Sequence, residues 1–494
     1  MKRIASLLLV IAMLATSLAA CAGDSTVSDD TTAAGETTPD AVTETTAPPE
    51  TEANAYNYLP EQNYNGYEYR IMYQNGIRYY PRQINPTEQN GDVINDSAYD
   101  RNMAVESKYN VKTKGYPVAV ADILNAARNH VKAGDDAFDV FYGRIDHMAS
   151  FASEGNALDL ASMQYIDLSQ PWYNQDINVG MNIKGAQYIV SSEFINVLVA
   201  NTYAMYFNKR MAYDEAKLPD LYQIVLEGKW TIDKLLEMIK GTARDLDGDG
   251  QMTHTDVYGY GAHTFVGAAL GLQYGMGQFI TEFDKNGDPQ LILNSDRMAQ
   301  IVSKIDQLST SPDFHLGTGN AEKADITLFK EGRLMFLTAI FMQTDLNMRE
   351  MKDEYGVLPH PKLDENQDKY YTVINTQCYM YSIPITVQDK DRSTILFEAY
   401  SYEGYKTVYP AFYELALKAK YSHDDVSAQI YDLIMSNRIV DFGFVFGSST
   451  GMRDIISNLV SAGSLDFASA YASKEAATKQ AYADIMKAFA DIKK

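Results

Sequence analysis

The sequence predicts an α/β protein with largely parallel sheets. Between residues 67 and 142, segments in which apolar and polar residues alternate, as in strands, are followed by segments with the apolar spacing of helices, and this order repeats. The sequence shows no internal repeat of the length used by solenoids or propellers. The chain has 494 residues, which suits two or three domains, and its 46% hydrophobic and 22% charged residues are typical of a globular protein.

The predicted elements follow one another in a regular order. Alternation predicts a first strand at Tyr67–Tyr73, and Thr231 is placed to cap a helix that runs to Lys240. Other strands are predicted at Val111–Thr113, Asp139–Tyr142, Val257–Tyr260, Leu334–Thr338, Thr372–Ile383 and Val440–Phe446. Other helices are predicted at Asp96–Tyr109, Val118–Ala133 (ended by Gly134) and Ser473–Ile492.

The first 55 residues predict a targeting signal and a tether. Two basic residues precede a mostly apolar stretch, Ile4 to Leu18, which is short for a transmembrane helix and typical of a signal peptide. Cys21 follows Leu-Ala-Ala, which resembles the bacterial lipobox and implies that 1–20 are removed and Cys21 is lipidated. An ordinary signal peptide with an incidental cysteine is the alternative. Residues 21–55 are acidic and rich in Thr, Ala, Glu and Pro, so we expect a disordered linker.

Composition excludes several classes of function. The net charge of −23 disfavours nucleic acid as a partner, because phosphate binding needs a basic surface. Two cysteines exclude a disulfide scaffold and a four-cysteine zinc site. With Cys21 assigned to lipid, Cys378 is a lone thiol, and we expect it to be a small buried apolar residue.

One acidic loop, Asp245–Asp256, fits a calcium loop of the EF-hand or dockerin type. Carboxylates stand at loop positions 1, 3, 5 and 12, and Gly250 stands at position 6, where the chain turns sharply. An EF-hand prefers Glu at position 12, and a strand follows here where an EF-hand has a helix. The alternative is an acidic turn without metal. The predicted structural Ca²⁺ ligands are Asp245, Asp247, Asp249, Gln251 (through its carbonyl) and Asp256.

Most of the common catalytic motifs are absent from the sequence or incomplete. The sequence lacks a phosphate-binding Gly-x-x-x-x-Gly-Lys loop and a His-Glu-x-x-His motif. Gly447–Gly451 matches a nucleophile elbow, but no histidine follows Ser449 in the chain, as a hydrolase of that type requires. A catalytic pair of carboxylates, as in a glycosidase, is not excluded in so acidic a chain, although no feature of the sequence identifies its two members. None of these patterns identifies a catalytic site, and the family resemblance described next implies a protein that is not an enzyme.

Several segments together resemble bacterial extracellular solute-binding lipoproteins of carbohydrate-type ABC transporters, in the maltose-binding-protein-like family 1. Each match is short, and their order and spacing over about 90–450 make the set specific. They are Gly91–Val111, Phe138–Phe141 with Gly155–Leu160, Met205–Lys209, Trp230–Thr231, Phe329–Phe336 and Tyr355–Lys362.

The resemblance implies a two-lobed periplasmic-binding-protein-like fold of type II, with hinge-connected lobes and a ligand cleft. Lobe 1 is expected at 56–165 plus 337–388, and lobe 2 at 166–336 plus 389–494. The implied function is capture of a small solute, above all a sugar or oligosaccharide, and its delivery to an ABC permease by lobe closure. The implied protein is a monomer, anchored by lipid to the outer face of the bacterial cell membrane.

Ligand-binding candidates were chosen as aromatic and planar polar side chains near strand ends or the lobe crossing, because sugars need flat faces and hydrogen-bonding groups. Core packing is the alternative for each aromatic residue, and Arg144 and Asp146 could simply pair with each other. The candidates are Tyr142, Arg144, Asp146, Trp172, Tyr173, Asn174, Gln343 and Tyr379.

Two other functional classes stay open at this point. A secreted carbohydrate-active hydrolase would release sugar from a polymer and would lose activity when one carboxylate is changed. A surface-anchored interaction protein would use the dockerin-like loop to bind a partner, but dockerins carry two such loops and the sequence has one.

Overall fold

A computed structural model describes residues 57–75, 81–195, 197–262, 265–317, 324–348, 350–418 and 425–492. The predicted signal peptide, Cys21 and the acidic linker lie outside these residues. Within them the secondary structure is a mixture of helices and strands, as the sequence predicts.

The described strands form a four-stranded sheet in the order β11-β3-β1-β2, a five-stranded sheet in the order β10-β4-β9-β5-β8, and the hairpin β6-β7. Their bounds are β1 Tyr67–Gln74, β2 Val111–Val118, β3 Val140–Arg144, β4 Tyr203–Asn208, β5 Tyr258–Ala262, β6 Thr281–Phe283, β7 Pro289–Leu291, β8 Phe314–His315, β9 Leu334–Ile340, β10 Tyr355–Leu358 and β11 Tyr379–Ser382.

The described helices lie between and beyond these strands. Their bounds are α1 Pro81–Ile84, α2 Val93–Tyr109, α3 Ile123–Ala133, α4 Ile145–Ser153, α5 Gln175–Val179, α6 Val197–Ala200, α7 Leu221–Leu226, α8 Ile232–Ile239, α9 Phe265–Gly275, α10 Asp296–Ser309, α11 Asp325–Lys330, α12 Lys390–Lys418, α13 Asp425–Ser436, α14 Phe442–Phe446, α15 Ile455–Ser461 and α16 Phe467–Ile492.

The four-stranded sheet is the centre of lobe 1. Strands β1, β2 and β3 run parallel, with Ile71 opposite Val140, and β11 runs antiparallel at the edge. Helix α12 covers one face of this sheet, where Tyr400 stacks on Tyr69 with ring centroids 5.4 Å apart. Burial of the aromatic faces and of Ile71 supplies the hydrophobic stabilisation of this lobe.

The five-stranded sheet is the centre of lobe 2. Strands β5, β8 and β9 run parallel, and β4 lies antiparallel between β9 and β10. All seven residues of β9 are buried, as expected for a central strand that is covered on both faces. Trp230, just before α8, packs against Phe336 of β9, and its indole N–H donates to the carbonyl of Pro359 at 3.0 Å.

The crossings between the lobes lie side by side and pair with one another. Thr202, just before β4, forms an antiparallel bridge with Ile374, and Thr372 forms a parallel bridge with Arg438. Backbone hydrogen bonds link Tyr203 N to Val373 O at 3.2 Å and Ile439 N to Thr372 O at 2.8 Å. These paired segments form the hinge.

The sheets differ from the predicted lobe boundaries in three places. Strands β9 and β10 pair with β4, so the chain stays in lobe 2 beyond residue 337 and returns to lobe 1 after the hinge at 372–374. Helix α12 packs on lobe 1, although residues after 389 were expected in lobe 2. The segment before the first crossing also belongs to lobe 1, because Val190 bridges Tyr381 of β11.

Most predicted elements are confirmed, with shifted ends. Gly134 ends α3 in the left-handed conformation, and the Thr231 hydroxyl accepts a hydrogen bond from Lys234 N at 3.3 Å at the start of α8. The predicted strand at Thr372–Ile383 is confirmed only over β11. The strand predicted at Val440–Phe446 is wrong. That segment forms α14, because the Asp441 carboxylate caps the helix by accepting from Phe444 N at 2.8 Å.

The last helix, α16, closes onto lobe 1 through a narrow buried stripe. Phe489 stacks on Tyr188 with ring centroids 5.1 Å apart. Ile492 lies beside Gly155, where an added Cβ would approach its side chain to 3.3 Å.

Asp441 joins three elements, and its replacement tests how much this joint stabilises the protein. Its buried carboxylate also accepts from Ile280 N at 2.8 Å, Tyr274 Oη at 2.8 Å and Thr281 Oγ1 at 3.1 Å. We expect Asp441→Ala to lower the free energy of unfolding by about 3 kcal/mol in urea denaturation, because several buried donors lose their acceptor. Glu354→Ala, at a side chain that is 74% exposed, is the control and should change it by less than about 0.5 kcal/mol. Equal losses of free energy in Asp441→Ala and Glu354→Ala would contradict the stabilising role assigned to Asp441.

Candidate functional site

The carboxyl edges of the two sheets meet at the hinge. In lobe 1, β1, β2 and β3 end at this edge and antiparallel β11 begins there. In lobe 2, β5, β8 and β9 end at it and antiparallel β4 begins there. Because β4 and β11 both start where the chain leaves the hinge, the two edges lie next to it. This is the edge at which α/β folds bind ligands.

Arg144 and Asp146 form an ion pair at the lobe 1 edge. Arg144 Nη2 donates to Asp146 Oδ2 at 2.7 Å, and Nε donates to Oδ1 at 3.1 Å. The two side chains are 28% and 24% exposed. The alternative left open by the sequence, that these residues pair with each other, is therefore found. The pair still presents partly exposed N–H groups and oxygens where β3 runs into α4.

Tyr142 and Tyr379 lie beside this pair on adjacent strands. Tyr142 packs against Tyr379 and Tyr381, with ring centroids 5.2 and 4.8 Å away. The Tyr379 hydroxyl donates to Gln74 Oε1 at the end of β1. Burial raises the pKa of Tyr379, and the nearby Arg144 lowers it in part. Tyr379 is only 4% exposed, so its ring supports the edge and presents little surface.

The lobe 2 edge carries amides close to the hinge. Asn375 Nδ2 donates to the Tyr203 hydroxyl at 3.3 Å, which ties the second crossing to the start of β4. Gln343, just after β9, is buried and accepts a hydrogen bond from Asn347 Nδ2. The structure thus places Gln343 on the other side of the hinge from Tyr142, Arg144, Asp146 and Tyr379.

Trp172 and Tyr173 lie in the interior of lobe 1, each 1% exposed. Trp172 Nε1 donates to Glu398 Oε1 at 3.0 Å, and the Tyr173 and Tyr58 hydroxyls also donate to the Glu398 carboxylate. Burial raises the pKa of Glu398 to about 7, and these donors lower it in part. We do not include Trp172 and Tyr173 in the proposed ligand site.

Two residues at the lobe 1 edge were missed by sequence reasoning. Gln74 ends β1 and holds Tyr379. His147 follows Asp146 on α4, is half-buried, and has no hydrogen-bond partner for Nδ1 within the described residues. Burial lowers the pKa of His147, so its ring is neutral at pH 7. Extending the search from the strand end into the first turn of the following helix would have found His147.

The acidic loop brings three carboxylates together. Ligand oxygens of Asp245, Asp247 and Asp249 all lie within 4.8 Å of one another on the surface. Asp256 lies outside this group, and its oxygens accept hydrogen bonds from Leu246 N at 2.8 Å and Thr253 N at 2.7 Å. These two hydrogen bonds lower the pKa of Asp256. Asp256 therefore closes the loop on itself.

The acidic loop lies at the far edge of lobe 2. It precedes β5, whose carboxyl end reaches the hinge, so the loop sits at the opposite end of the strand. Arg333, just before β9, donates from Nη1 to the carbonyls of His254 at 2.6 Å and Asp256 at 3.1 Å. A cation in this loop would act on lobe 2 and not on the ligand edge.

Cys378 is buried at the hinge, as expected, and burial raises the pKa of its thiol to about 12. Among the described helices, none has the length and apolar character needed to cross a membrane.

The arrangement of sheets, hinge and facing edges matches solved structures. The GacH receptor of Streptomyces glaucescens, determined unliganded and with acarbose, aligns with a TM-score of 0.53 and 12% identity, over 86% of this chain and 98% of that one. A cyclo/maltodextrin-binding protein with maltotetraose aligns at 0.53 and 14%, over 86% and 96%. The chain has the fold of these two-lobed receptors.

A third structure of this receptor fold is an ABC substrate-binding protein from Listeria monocytogenes in complex with cycloalternan. It aligns with a TM-score of 0.50 and 13% identity, over 85% of this chain and 98% of that one. No family model and no curated protein matches the sequence. At these identities the likeness establishes the receptor fold, and the residues of the cleft must be argued from the chain itself.

The Glu398 cluster predicts a specific dependence of stability on pH. A carboxyl whose pKa is about 7 when folded, above its ordinary 4.5, binds its proton more tightly in the folded state. The free energy of unfolding should therefore fall as the pH rises from about 5 to about 7. We expect Glu398→Gln to reduce this fall by about 1 kcal/mol or more in urea titrations. Glu237→Gln, a substitution at an exposed position, should leave the change of the unfolding free energy with pH as it is in the wild-type chain. If Glu398→Gln also leaves it unchanged, Glu398 is not its cause.

Proposed function

We propose that the chain is the extracytoplasmic solute receptor of an ABC transporter, and that it binds a sugar or oligosaccharide between its lobes. The observation that carries this is the meeting of both carboxyl edges at one paired hinge. The edges hold the Arg144–Asp146 pair on one side and Gln343 and Asn375 on the other. Such planar charged and amide groups suit the donors and acceptors of sugar hydroxyls.

The neighbours support the ligand class. Structures with this fold were determined with acarbose, maltotetraose and cycloalternan. In the proposed mechanism the ligand bridges the lobes, closure about the hinge buries it, and the closed form docks on a membrane permease. No catalytic step is required. Lipidation of Cys21 would hold a monomeric receptor at the outer face of the membrane, on the linker 21–55.

Ligand binding is tested by a thermal-shift panel of mono- and oligosaccharides that includes maltotetraose, extended to peptides and polyamines. We expect at least one sugar to raise the melting temperature. For that sugar, Arg144→Ala should weaken binding by about tenfold or more in calorimetry, because it removes a charged donor and leaves Asp146 without its partner.

The matched control is Arg128→Ala, which breaks a similar ion pair with Glu154, 2.7 Å between Nε and Oε2, at the end of α4 away from the hinge. It should leave the affinity unchanged. If no compound of the panel changes the melting temperature and the protein releases sugar from a polymer, the receptor proposal is wrong and the protein is a hydrolase.

We also propose that the acidic loop binds Ca²⁺ as a structural ion through Asp245, Asp247, Asp249 and the Gln251 carbonyl. The clustering of three exposed carboxylates supports this, because their mutual repulsion favours a bound cation. Outside the cell, where calcium is abundant, even a site with a Kd of about 10⁻⁴–10⁻³ M fills. The loop's position predicts a contribution to the stability of lobe 2.

Removal of calcium by EGTA should lower the melting temperature of the wild-type chain by several degrees, about what a loss of 1–2 kcal/mol gives. Asp247→Ala should abolish the response, while Asp214→Ala, an exposed acidic residue outside the loop, should keep it. The affinity for sugar should be the same with and without EGTA. A melting temperature insensitive to EGTA and to added Ca²⁺ would leave the loop as a turn without metal.

A further inference from the structure

Two buried groups of opposite charge face the hinge without meeting. Glu193 is 2% exposed and Arg438 is 8% exposed. Glu193 Oε2 and Arg438 Nη1 each have no hydrogen-bond partner within the described residues. These two residues form no ion pair within 4.0 Å. A buried charged group without a partner lowers the free energy of unfolding, so an arrangement in which these two groups do pair would stabilise the protein.

Glu193 belongs to lobe 1, whereas Arg438 lies on the crossing that leaves α13 of lobe 2 and pairs with Thr372. Glu193 lies in the segment attached to lobe 1, where its N–H donates to the carbonyl of Trp172 at 2.9 Å. Arg438 follows α13, and its Nε donates to the carbonyl of Met435 in that helix at 3.0 Å. Helix α13 is part of lobe 2, where Tyr431 packs its ring against Phe341 just after β9.

Asn174 stands between them. Arg438 Nη2 donates to Asn174 Oδ1 at 2.9 Å, and Asn174 Nδ2 donates to Ser191 Oγ at 3.1 Å. Asn174 also lies near the Glu193 carboxyl and, after Arg438, lowers its pKa in part. The amide of lobe 1 thus holds the guanidinium of lobe 2, next to an acid that could hold it more strongly.

We propose that Asn174, Glu193 and Arg438 form an interlobe latch, in which rotation of the lobes moves Arg438 from Asn174 to a direct ion pair with Glu193. The latch gives the hinge two preferred positions instead of a continuous range. It rests on the proposed function, because it requires the lobes to move relative to each other.

The backbone around Glu193 determines which partner moves. A Cβ added to Gly404 of α12 would lie 2.0 Å from the Glu193 carbonyl oxygen, so the segment is packed directly on that helix. Glu193 is therefore fixed to lobe 1. Arg438 is on the crossing itself, where it pairs with Thr372, and its long, flexible side chain is the group that can exchange partners.

The titratable and charged groups that face Glu193 are Arg438, Tyr381, Tyr405 and Tyr409. Burial raises the pKa of all three tyrosines, that of Tyr409 to about 12, so they stay neutral near pH 7. Cys378, which faces Arg438, is neutral for the same reason. The only charge in this group that changes near neutral pH is that of Glu193, because burial raises its pKa to about 7.

The sign of the pH effect follows. A direct ion pair with Arg438 lowers the pKa of Glu193 below its value in the unpaired arrangement. Raising the pH therefore favours the paired arrangement, and lowering it favours the arrangement seen here. For each unit by which the pKa differs between the two, their ratio changes by about tenfold between the two pH limits.

The test measures the distance between the lobes without any ligand. The full chain carries Cys21→Ser, with nitroxide labels at Lys112→Cys in lobe 1 and Glu237→Cys in lobe 2, whose native side chains are 72% and 69% exposed. Cys378 is buried and is not expected to take the label. Pulsed EPR should resolve two distance populations whose ratio shifts by about tenfold or more between about pH 6 and about pH 8.

Glu193→Gln keeps the shape of the side chain but removes its charge, so the ratio of the two populations should not change with pH. Asn174→Ala removes the competing partner and should favour the paired population at both pH values. The matched control is Glu398→Gln, a buried lobe 1 carboxyl with a similarly raised pKa and donors only from its own lobe, and it should keep the wild-type shift. Thermal melts establish that each variant is folded.

The outcomes separate the latch from the receptor function. A distance that shifts with pH and loses this shift in Glu193→Gln supports the latch even if no sugar binds. A ratio that is insensitive to pH, or a shift that persists in Glu193→Gln, overturns the latch even if maltotetraose or another sugar of the panel closes the lobes. A buried water that joins Glu193 and Arg438 would give the insensitive ratio.

Discussion

The pairing of the crossing segments with one another is the constraint on which the rest of the structure depends. A chain that passes between two sheets must satisfy its backbone groups in a region that belongs to neither sheet. Here Thr202 pairs with Ile374 and Thr372 pairs with Arg438, so the crossings satisfy each other. This pairing brings the starts of β4 and β11 together and thereby sets the two carboxyl edges opposite each other.

Carboxylates hold elements together at several places in the molecule. Asp139, just before β3, accepts from Tyr67, Arg70 and Ser393, and Asp441 and Glu398 similarly gather donors from distant segments. Each of these carboxyl groups accepts hydrogen bonds from several donors that belong to different segments of the chain. Glu193 differs because one of its oxygens has no donor within the described residues, and because Arg438, the nearby opposite charge, lies on the crossing from lobe 2. The fixed carboxylate contacts and the proposed interlobe latch are therefore built from the same chemistry.

Local signals in the sequence were sufficient for much of the fold and for part of the site. Alternation located β1, helical spacing located α3 and α8, and the strand end before Arg144 pointed to the ligand edge. The contacts that local signals could not predict involve partners far along the chain. Trp172 and Tyr173 are held by Glu398, more than 220 residues away, and Asn174 by Arg438, 264 residues away. The lobe boundary depends on whether β9 pairs with β4, and neither strand carries that information alone.

The closure of α16 onto lobe 1 has a consequence for the order of folding. Tyr188 receives its stacking partner, Phe489, from α16, and β3 receives its neighbour β11 from more than 230 residues later. A lobe built from such distant contacts has a high contact order and forms slowly. It also stays incomplete until α16 has been synthesised. Slow completion suits a protein that must pass through a narrow translocation channel as an extended chain, as the proposed extracytoplasmic location requires.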